Sequence, residues 1–362
     1  MERRSLPAQT AEVILAQIRA AQWKTWLPGE RQLSRLMQVS RGTVRSALTM
    51  LQQQKHVTAV ASRGYRVTSR RSCRNAAKQR VLISLVSSEP IEIKRPYFAL
   101  MVSQIRESAH ARGWNVALYQ GGHLFGARAS THLQRLVQSS PASCWILIHS
   151  THQAQKWFAD ADLPALVSGH TYDGINLPSL DVDLRAAGHH AGIQLARMGH
   201  THVVAVVSTQ RLPGLIEGDT GFTEGFSSAT ENRGIILQLP FNGDDTALVR
   251  NLIRVMRQPE RPTAILTETP NQYLTVISAL AHLRLVVPGD VSVVSRLDDP
   301  FLKHLLPEPA RYRVSPVLFA RSLVRMAAHL ALGENLTHTR RLLVPDFIRG
   351  GSLGLAARGQ TD

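Results

Sequence analysis

The sequence predicts two unlike parts: a small α+β N-terminal domain of three short helices and a β-hairpin, then a much larger α/β region of parallel sheets covered by helices. Three observations carry this reading. Residues 1–80 hold sixteen Lys/Arg against three acids, Glu2, Glu12 and Glu30, a net +13, whereas the remaining residues hold 26 basic and 23 acidic side chains, a net +3. At Val81 the hydrophobic pattern changes from helical spacing to short apolar runs alternating with amphipathic stretches. Finally, 362 residues at roughly 150 per domain ask for two or three domains. The 44% hydrophobic fraction can build a sizeable core, and 19% charged residues are too few for a mostly disordered chain.

Taken in order, Ala8 to Ala21 places Val13, Ile14, Ile18 and Ala21 on one helical face, and the turn around Trp26, Leu27, Pro28 and Gly29 ends it. Glu30 to Met37 carries Leu33 and Leu36 three apart. Gln38, Val39 and Ser40 make a tight turn, with Ser40 as N-cap of a third helix from Arg41 to Gln54. Val57–Val60 and Tyr65–Val67 alternate like strands around Ala61, Ser62, Arg63 and Gly64, which reads as a β-wing. Residues 69–80 hold five Arg/Lys and almost nothing to bury, and read as a basic linker.

Beyond it the strand candidates are Val81–Val86, Val116–Tyr119, Trp145–Ile148, Ala165–Val167, Val203–Val207, Ile235–Leu239, Ala264–Leu266 and Val291–Val294. The helix candidates are Phe98–Arg112, Ala129–Val137, Ala186–Met198, Phe222–Thr230, Ala247–Arg257, Asn271–Leu283 and Val317–Leu332. Repeated βα units over about 275 residues need more than one sheet.

The N-terminal constellation suits a helix-turn-helix mechanically. Val44, Leu48 and Leu51, at i, i+4 and i+7, anchor the third helix, so Arg41, Thr43 and Arg45 fall on its outer, N-terminal part, which in such proteins meets base edges in the major groove. An arginine fork can bond guanine O6 and N7 together. Arg31 and the linker arginines are expected on phosphates, and Arg63 and Gly64 at the wing tip against backbone or minor groove. From Leu27 to Val67 the stretch resembles the winged helix-turn-helix of the GntR family of bacterial transcription regulators. That family's pattern runs Leu-Pro-x-Glu-Arg-x-Leu-(Ala/Ser), then Val-Ser-Arg-x-Thr-Val-Arg-x-Ala-Leu, then a glycine-containing wing. The resemblance implies DNA contacts from Arg31, Ser40, Arg41, Thr43, Arg45 and Gly64. One departure is Lys55 and His56, where the family usually has glycine.

Three later stretches carry a second resemblance. They are Leu180–Asp183 with Ala186, Leu195 and Gly199–His200; Pro262–Leu266 with Val287–Val294, Asp298 and Asp299; and Leu343–Pro345 with Ile348–Ser352. Together they resemble the periplasmic-binding-protein-like effector domains of LacI/GalR regulators. The resemblance implies a two-lobed α/β domain with parallel sheets over 81–355. One lobe would hold about 81–183 and 313–335, the other about 184–312 and 336–353, with a ligand between them. Residue reading agrees on place, because open parallel sheets bind ligands outside the carboxyl ends of their strands; the loops to watch begin at Ser87, Gln120, His149, His170, Gln210, Glu268 and Arg296.

Several patterns are set aside. His189–His190 and His200 with His202 are the densest of fifteen histidines, but adjacent histidines on a helix point apart. Asp181 and Asp183 lie on opposite sides of an extended segment, which does not suit paired acid/base work. Gly121–Gly122 and Gly350–Gly351 lack phosphate-loop contexts, and no GxSxG elbow occurs. GntR-type winged helices are also fused to pyridoxal-phosphate-binding aminotransferase-like domains, which need a Schiff-base lysine. Beyond the linker only Lys94, Lys156 and Lys303 are available, none in a recognisable setting. Cys73 and Cys144 form no CxxC or metal pair and fit a reducing compartment. No eighteen-residue apolar stretch and no signal-peptide pattern occur, so the expectation is a cytoplasmic chain with no membrane partner rather than a secreted receptor.

The expectation is a non-enzymatic, sequence-specific DNA-binding regulator that needs no cofactor or metal and acts as a dimeric repressor on double-stranded operator DNA, its binding modulated by a small molecule between the lobes. A homodimer follows because one winged helix reads too few bases for specific binding. The alternative is an effector-like domain that serves only dimerisation. Sugar-binding members of the resembled family carry an Asn/Ser-Asp pair where this chain has Thr269–Pro270, and an arginine where it has Phe222. The first Asp of the family's closing pair falls on Leu297, unless a one-residue insertion restores Asp298. The expected ligand, with carbohydrate-related compounds among the options, is therefore not held in the usual sugar mode, and the candidate contacts are Tyr97, Tyr172, Asp173, Arg211, Asn271, Arg296 and Asp298. For the linker, neutralising Arg70, Arg71 and Arg74 is expected to flatten the plot of log DNA affinity against log salt; an unchanged slope in a titration series would show that it stays clear of DNA.

Overall fold

The computed structural model describes residues 6–19, 23, 25–53, 56–60, 63–67, 81–91, 95–126, 128–336 and 339–356. The chain divides into two compact units, Met1–Arg80 and Val81–Asp362. The basic linker expected at 69–80 lies outside the described residues.

The first unit has α1 (Leu6–Arg19), α2 (Glu30–Met37), α3 (Arg41–Gln53) and the antiparallel hairpin of β1 (Val57–Val60) and β2 (Gly64–Val67), with Val57 opposite Val67. Its core joins Ile14 of α1, Leu33 of α2 and Val44, Ala47, Leu48 and Leu51 of α3, all fully buried. The turn between α2 and α3 is fixed by local chemistry. Gln38 takes the left-handed conformation at φ 51°, the Ser34 hydroxyl donates to the Val39 carbonyl at 2.7 Å, and the Ser40 hydroxyl caps α3 by accepting from the Thr43 N–H at 3.1 Å. The chain before α2 is tied to the hairpin, with the Leu27 N–H donating to the Tyr65 carbonyl at 2.9 Å.

The second unit opens with β3 (Leu82–Ser87), α4 (Pro96–His110), β4 (Asn115–Gln120), α5 (Ala129–Ser139), β5 (Cys144–Ile148), α6 (His152–Asp160), β6 (Ala165–Ser168) and β7 (Ser179–Val182). It continues with α7 (Leu184–Arg197), β8 (His202–Ser208), α8 (Pro213–Ala229), β9 (Ile235–Phe241), α9 (Asp245–Met256), β10 (Ala264–Thr267), α10 (Pro270–His282) and β11 (Ser292–Ser295). Last come β12 (Ala310–Arg313), α11 (Pro316–Ala331), β13 (Arg340–Leu343) and β14 (Asp346–Ile348). One sheet runs β13-β7-β6-β5-β3-β4 and is parallel throughout. The other runs β14-β12-β11-β10-β8-β9 and is parallel except for β14. Each is the centre of a lobe, with fully buried strands such as Cys144–Ile148 and helices on both faces. Among the described residues no helix is long and apolar enough to cross a membrane.

Every strand candidate read from the sequence coincides with a strand. The pattern reading missed α6, β7, β12, β13 and β14, all short: α6, β7 and β12 carry polar residues at buried positions, Gln155, Ser179 and Arg311, while β13 and β14 bury no residue fully. The lobe boundary expected at 336 is corrected: β13 pairs with β7 in the first lobe, so the last crossing falls between Leu343 and Asp346. The helix expected from Phe222 begins nine residues earlier, at Pro213. Gly214, Gly218 and Gly221 hide its apolar period, and close packing explains Gly221 together with Gly225. A Cβ at Gly221 would lie 2.2 Å from the Arg185 carbonyl oxygen, and one at Gly225 would lie 2.1 Å from that of His189. Helices α7 and α8 therefore touch backbone to backbone. Gly225→Ala is expected to force them apart at about 1–3 kcal/mol, lowering the melting temperature by several degrees, whereas Gly289→Ala, whose new methyl meets Val286 at 3.5 Å, is expected to be neutral.

Candidate nucleic-acid interface and ligand cleft

In the first unit α3 buries Val44, Ala47, Leu48 and Leu51 and leaves Arg41 and Arg45 exposed. Ser40 and Thr43 are joined by a 2.8 Å hydroxyl contact at its start. Arg31 is exposed in the first turn of α2, Arg63 is exposed at the hairpin tip, and Gly64 beside it has φ +92°. Sequence reasoning missed one partner. The Arg45 fork grips Glu30, with Nε to Oε1 at 3.3 Å and Nη2 to Oε2 at 2.9 Å, although Arg45 stays 64% exposed. That bond holds the Glu30 carboxyl below its ordinary pKa. Arg45 thus stands oriented toward α2, whereas no ion pair places Arg41 among the described residues.

In the second unit, loops at the carboxyl ends of both sheets enclose a cavity of about 500 Å³. In both sheets the order in which successive strands are added reverses there. The first lobe has its switch point between β3 and β5, where Ser88, His149 and Ser150 line the cavity; the second has it between β8 and β10, where Ser208 and Glu268 do.

Of the sequence-predicted contacts, Tyr97, Tyr172 and Asp298 line this cavity. Asp173, Arg211 and Asn271 are exposed and are not among its lining residues. Arg296 lies fully buried and likewise does not line it. Its Nη1 donates to Asp219 Oδ1 at 2.8 Å and its Nη2 sits 3.2 Å from Glu268 Oε1, in space that Gly218 leaves free. Arg211 pairs with the other oxygen of Asp219 at 3.3 Å.

Glu268 is the lining member of that cluster. It accepts from the Ser208 N–H at 2.9 Å, and burial, against the opposing pull of Arg296, pushes its carboxyl up to about 7. Asp298 accepts from Arg311 Nε at 2.7 Å. Arg95 reaches the Asp298 carbonyl at 3.4 Å and packs 5.2 Å from the ring centre of Phe98. Asp299 accepts from the Tyr97 N–H at 3.2 Å, so a second-lobe carboxylate caps a first-lobe helix, α4. Burial raises the pKa of Asp299.

Asp181, set aside in the sequence, forms a close pair on the cavity wall with His170, which begins one of the loops marked by the strand-end rule. Gln155, on the missed helix α6, holds the neighbouring loops through Ser150, the His170 carbonyl and the Tyr172 N–H. The strand-end rule located this region, but nothing in the sequence separated Arg95, Glu268 or Gln155 from other polar loop residues.

In sequence, residues 8–67 match the bacterial regulatory proteins of the gntR family, and residues 193–353 match the periplasmic binding protein-like domain. No curated protein matches the chain. Among solved structures it is similar to the putative transcriptional regulator LacI from Bacillus cereus subsp. cytotoxis, at 19% identity and TM-score 0.65, covering 75% of this chain and 98% of that one. It is also similar to the transcription regulator CcpA of Lactococcus lactis, at 16% and 0.65, covering 75% and 99%. A third is the periplasmic binding protein/LacI transcriptional regulator from Alkaliphilus metalliredigens, complexed with D-xylulofuranose, at 19% and 0.63, covering 75% and 98%. At these identities the likeness establishes the two-lobed fold. The chain is a transcription regulator in which a gntR-family DNA-binding domain is joined to a periplasmic-binding-protein-like domain.

Proposed function

We propose that this regulator is a cytoplasmic, non-enzymatic, dimeric repressor whose grip on a twofold operator changes when a small molecule occupies the cavity between the lobes. The observation that carries the reading is that cavity: about 500 Å³, within the roughly 300–1,000 Å³ of small-molecule sites, and lined from both lobes, so that an occupant alters the free energy of their closure. Dimerisation supplies the second winged helix that a specific site requires. The neighbour complexed with D-xylulofuranose supports a small-molecule effector; here Thr269 and Pro270 at the start of α10 and Phe222 in α8 favour a ligand held otherwise than in the usual sugar mode.

The reading is tested by selecting bound duplexes from a random pool and footprinting the best of them. A dyad-symmetric footprint from two protomers is expected, and a single asymmetric half-site would overturn the dimer. A reporter driven from the selected site is expected to fall in output when the protein is present; a rise would reverse the sign of regulation.

Arg41, Arg45, Ser40 and Thr43 supply the recognition surface in this proposal, with Arg31, Arg63 and Gly64 on the backbone or minor groove. Arg41→Ala is expected to cost about 1–3 kcal/mol on the selected site and much less on random DNA. Equal losses in competition titrations would demote it to a phosphate contact. Arg45 has to exchange Glu30 for a base edge or read with the pair intact. Glu30→Gln, which frees one cation, is expected to steepen the salt dependence of non-specific binding by up to about 0.9 in the log–log slope, and an unchanged slope would show that Arg45 meets no phosphate.

A further inference from the structure

The charges around the cleft point to a class of ligand, an inference that rests on the proposed effector role. The buried and half-buried carboxylates of the lining are answered inside the protein: Asp181 by His170, Glu268 by Arg296 and Asp298 by Arg311. Glu89, the fourth carboxylate, is exposed, where water screens it. Arg95 differs from all of these. It lines the cavity at the start of α4, and among the described residues no carboxylate is in contact with its guanidinium. Its Nη1 makes a long hydrogen bond, 3.4 Å, to the Asp298 carbonyl, and its Cζ lies 5.9 Å and 5.2 Å from the ring centres of Tyr97 and Phe98. Burial lowers its pKa although Asp299 and Asp298 stand nearby, so their field offsets the loss of water only in part. The same cavity is lined by uncharged polar side chains that can both donate and accept: Ser88, Thr151 and Ser168 from the first lobe, Ser208 and Gln210 from the second. A single cation with carboxylates nearby suits a ligand with one negative charge better than one with two.

We propose that the effector is an organic monocarboxylate whose carboxylate pairs with Arg95 and whose neutral hydroxyl or amide groups meet the serine, threonine and glutamine side chains of the two lobes. Arg95 belongs to the first lobe and reaches the Asp298 carbonyl of the second, so an anion bound to it sits at the seam between the lobes, where it biases their closure.

Titration calorimetry of the full chain with two matched pairs tests this: D-glucuronate against D-glucose, and 4-hydroxybenzoate against 4-hydroxybenzamide. In each pair the body is nearly constant and a neutral group replaces the carboxylate. At least one acid is expected to bind saturably and roughly ten- to a hundredfold tighter than its neutral counterpart, the value of a hydrogen bond to a charged group. In Arg95→Gln that advantage is expected to fall at least tenfold while the affinity of the neutral compound holds, and Arg95→Lys, which keeps the charge, is expected to retain part of it. D-Glucose 6-phosphate, a dianion, is expected to bind more weakly than the preferred acid. An acid no tighter than its neutral counterpart in both pairs, an advantage surviving intact in Arg95→Gln, or tighter binding of the phosphate would overturn the proposal. Binding of a neutral compound as tight as that of its acid would leave the effector role standing. Preferred binding of an acid that left the affinity for the selected duplex unchanged would support the ligand class and overturn the effector role. Binding of none of the five would overturn both.

Discussion

Three short crossings of the chain, among the described residues, join the two lobes and set the cleft between them. Asp183 links β7 to α7, Val314 and Ser315 link β12 to α11, and Val344 and Pro345 link β13 to β14. Because each crossing is one or two residues long, the lobes are held edge to edge with the carboxyl ends of both sheets facing the same space. Each sheet repeats one strand order, so each contributes its own switch-point loops to that space. Asp183 does double work at its crossing, because its carboxylate accepts from the Ala186 N–H at 2.9 Å and starts the helix on the far side.

The two units solve the problem of charge in opposite ways. In the first, cations stay exposed on a small core, available to a polyanion whose counterions they displace. In the second, most charges nearest the cleft are paired internally. Arg296 between Asp219 and Glu268 is the clearest case: such a buried cluster adds little net stability compared with apolar packing, yet it fixes where β11 and α8 meet behind the cavity. An exposed cationic surface and a cavity whose charges are largely paired within the protein therefore coexist in one chain of net charge +16.

The sequence made the first unit legible almost residue by residue, because its signals are local. Ser40 caps where a cap was expected, and Val44, Leu48 and Leu51 are buried at their helical spacing. The pairing of Arg45 with Glu30 was not legible, since fifteen residues separate them and only the α2–α3 angle brings them together. In the second unit, strands with continuous apolar runs were readable, while β7, β12 and β13 were not, because each is four residues long and its apolar run is broken by polar side chains such as Asp181, Arg311 and Arg341. The same limit applied to the cleft. The rule of strand ends located it, but Glu268 and Arg296 look alike as polar residues after a strand, and only packing against Gly218 sends one to the cavity wall and the other behind it.

The carboxylate of Asp299, lent by one lobe to the first turn of α4 in the other, favours the lobe arrangement in which the two meet. Parting the lobes strips that helix of a cap worth about 0.5–2 kcal/mol, which alone tilts the closed-to-open ratio by roughly two- to thirtyfold. A complete reversal of a two-state equilibrium needs about 5.5 kcal/mol. A single cap of this size therefore supplies only part of such a reversal, and the remainder has to come from other contacts between the lobes.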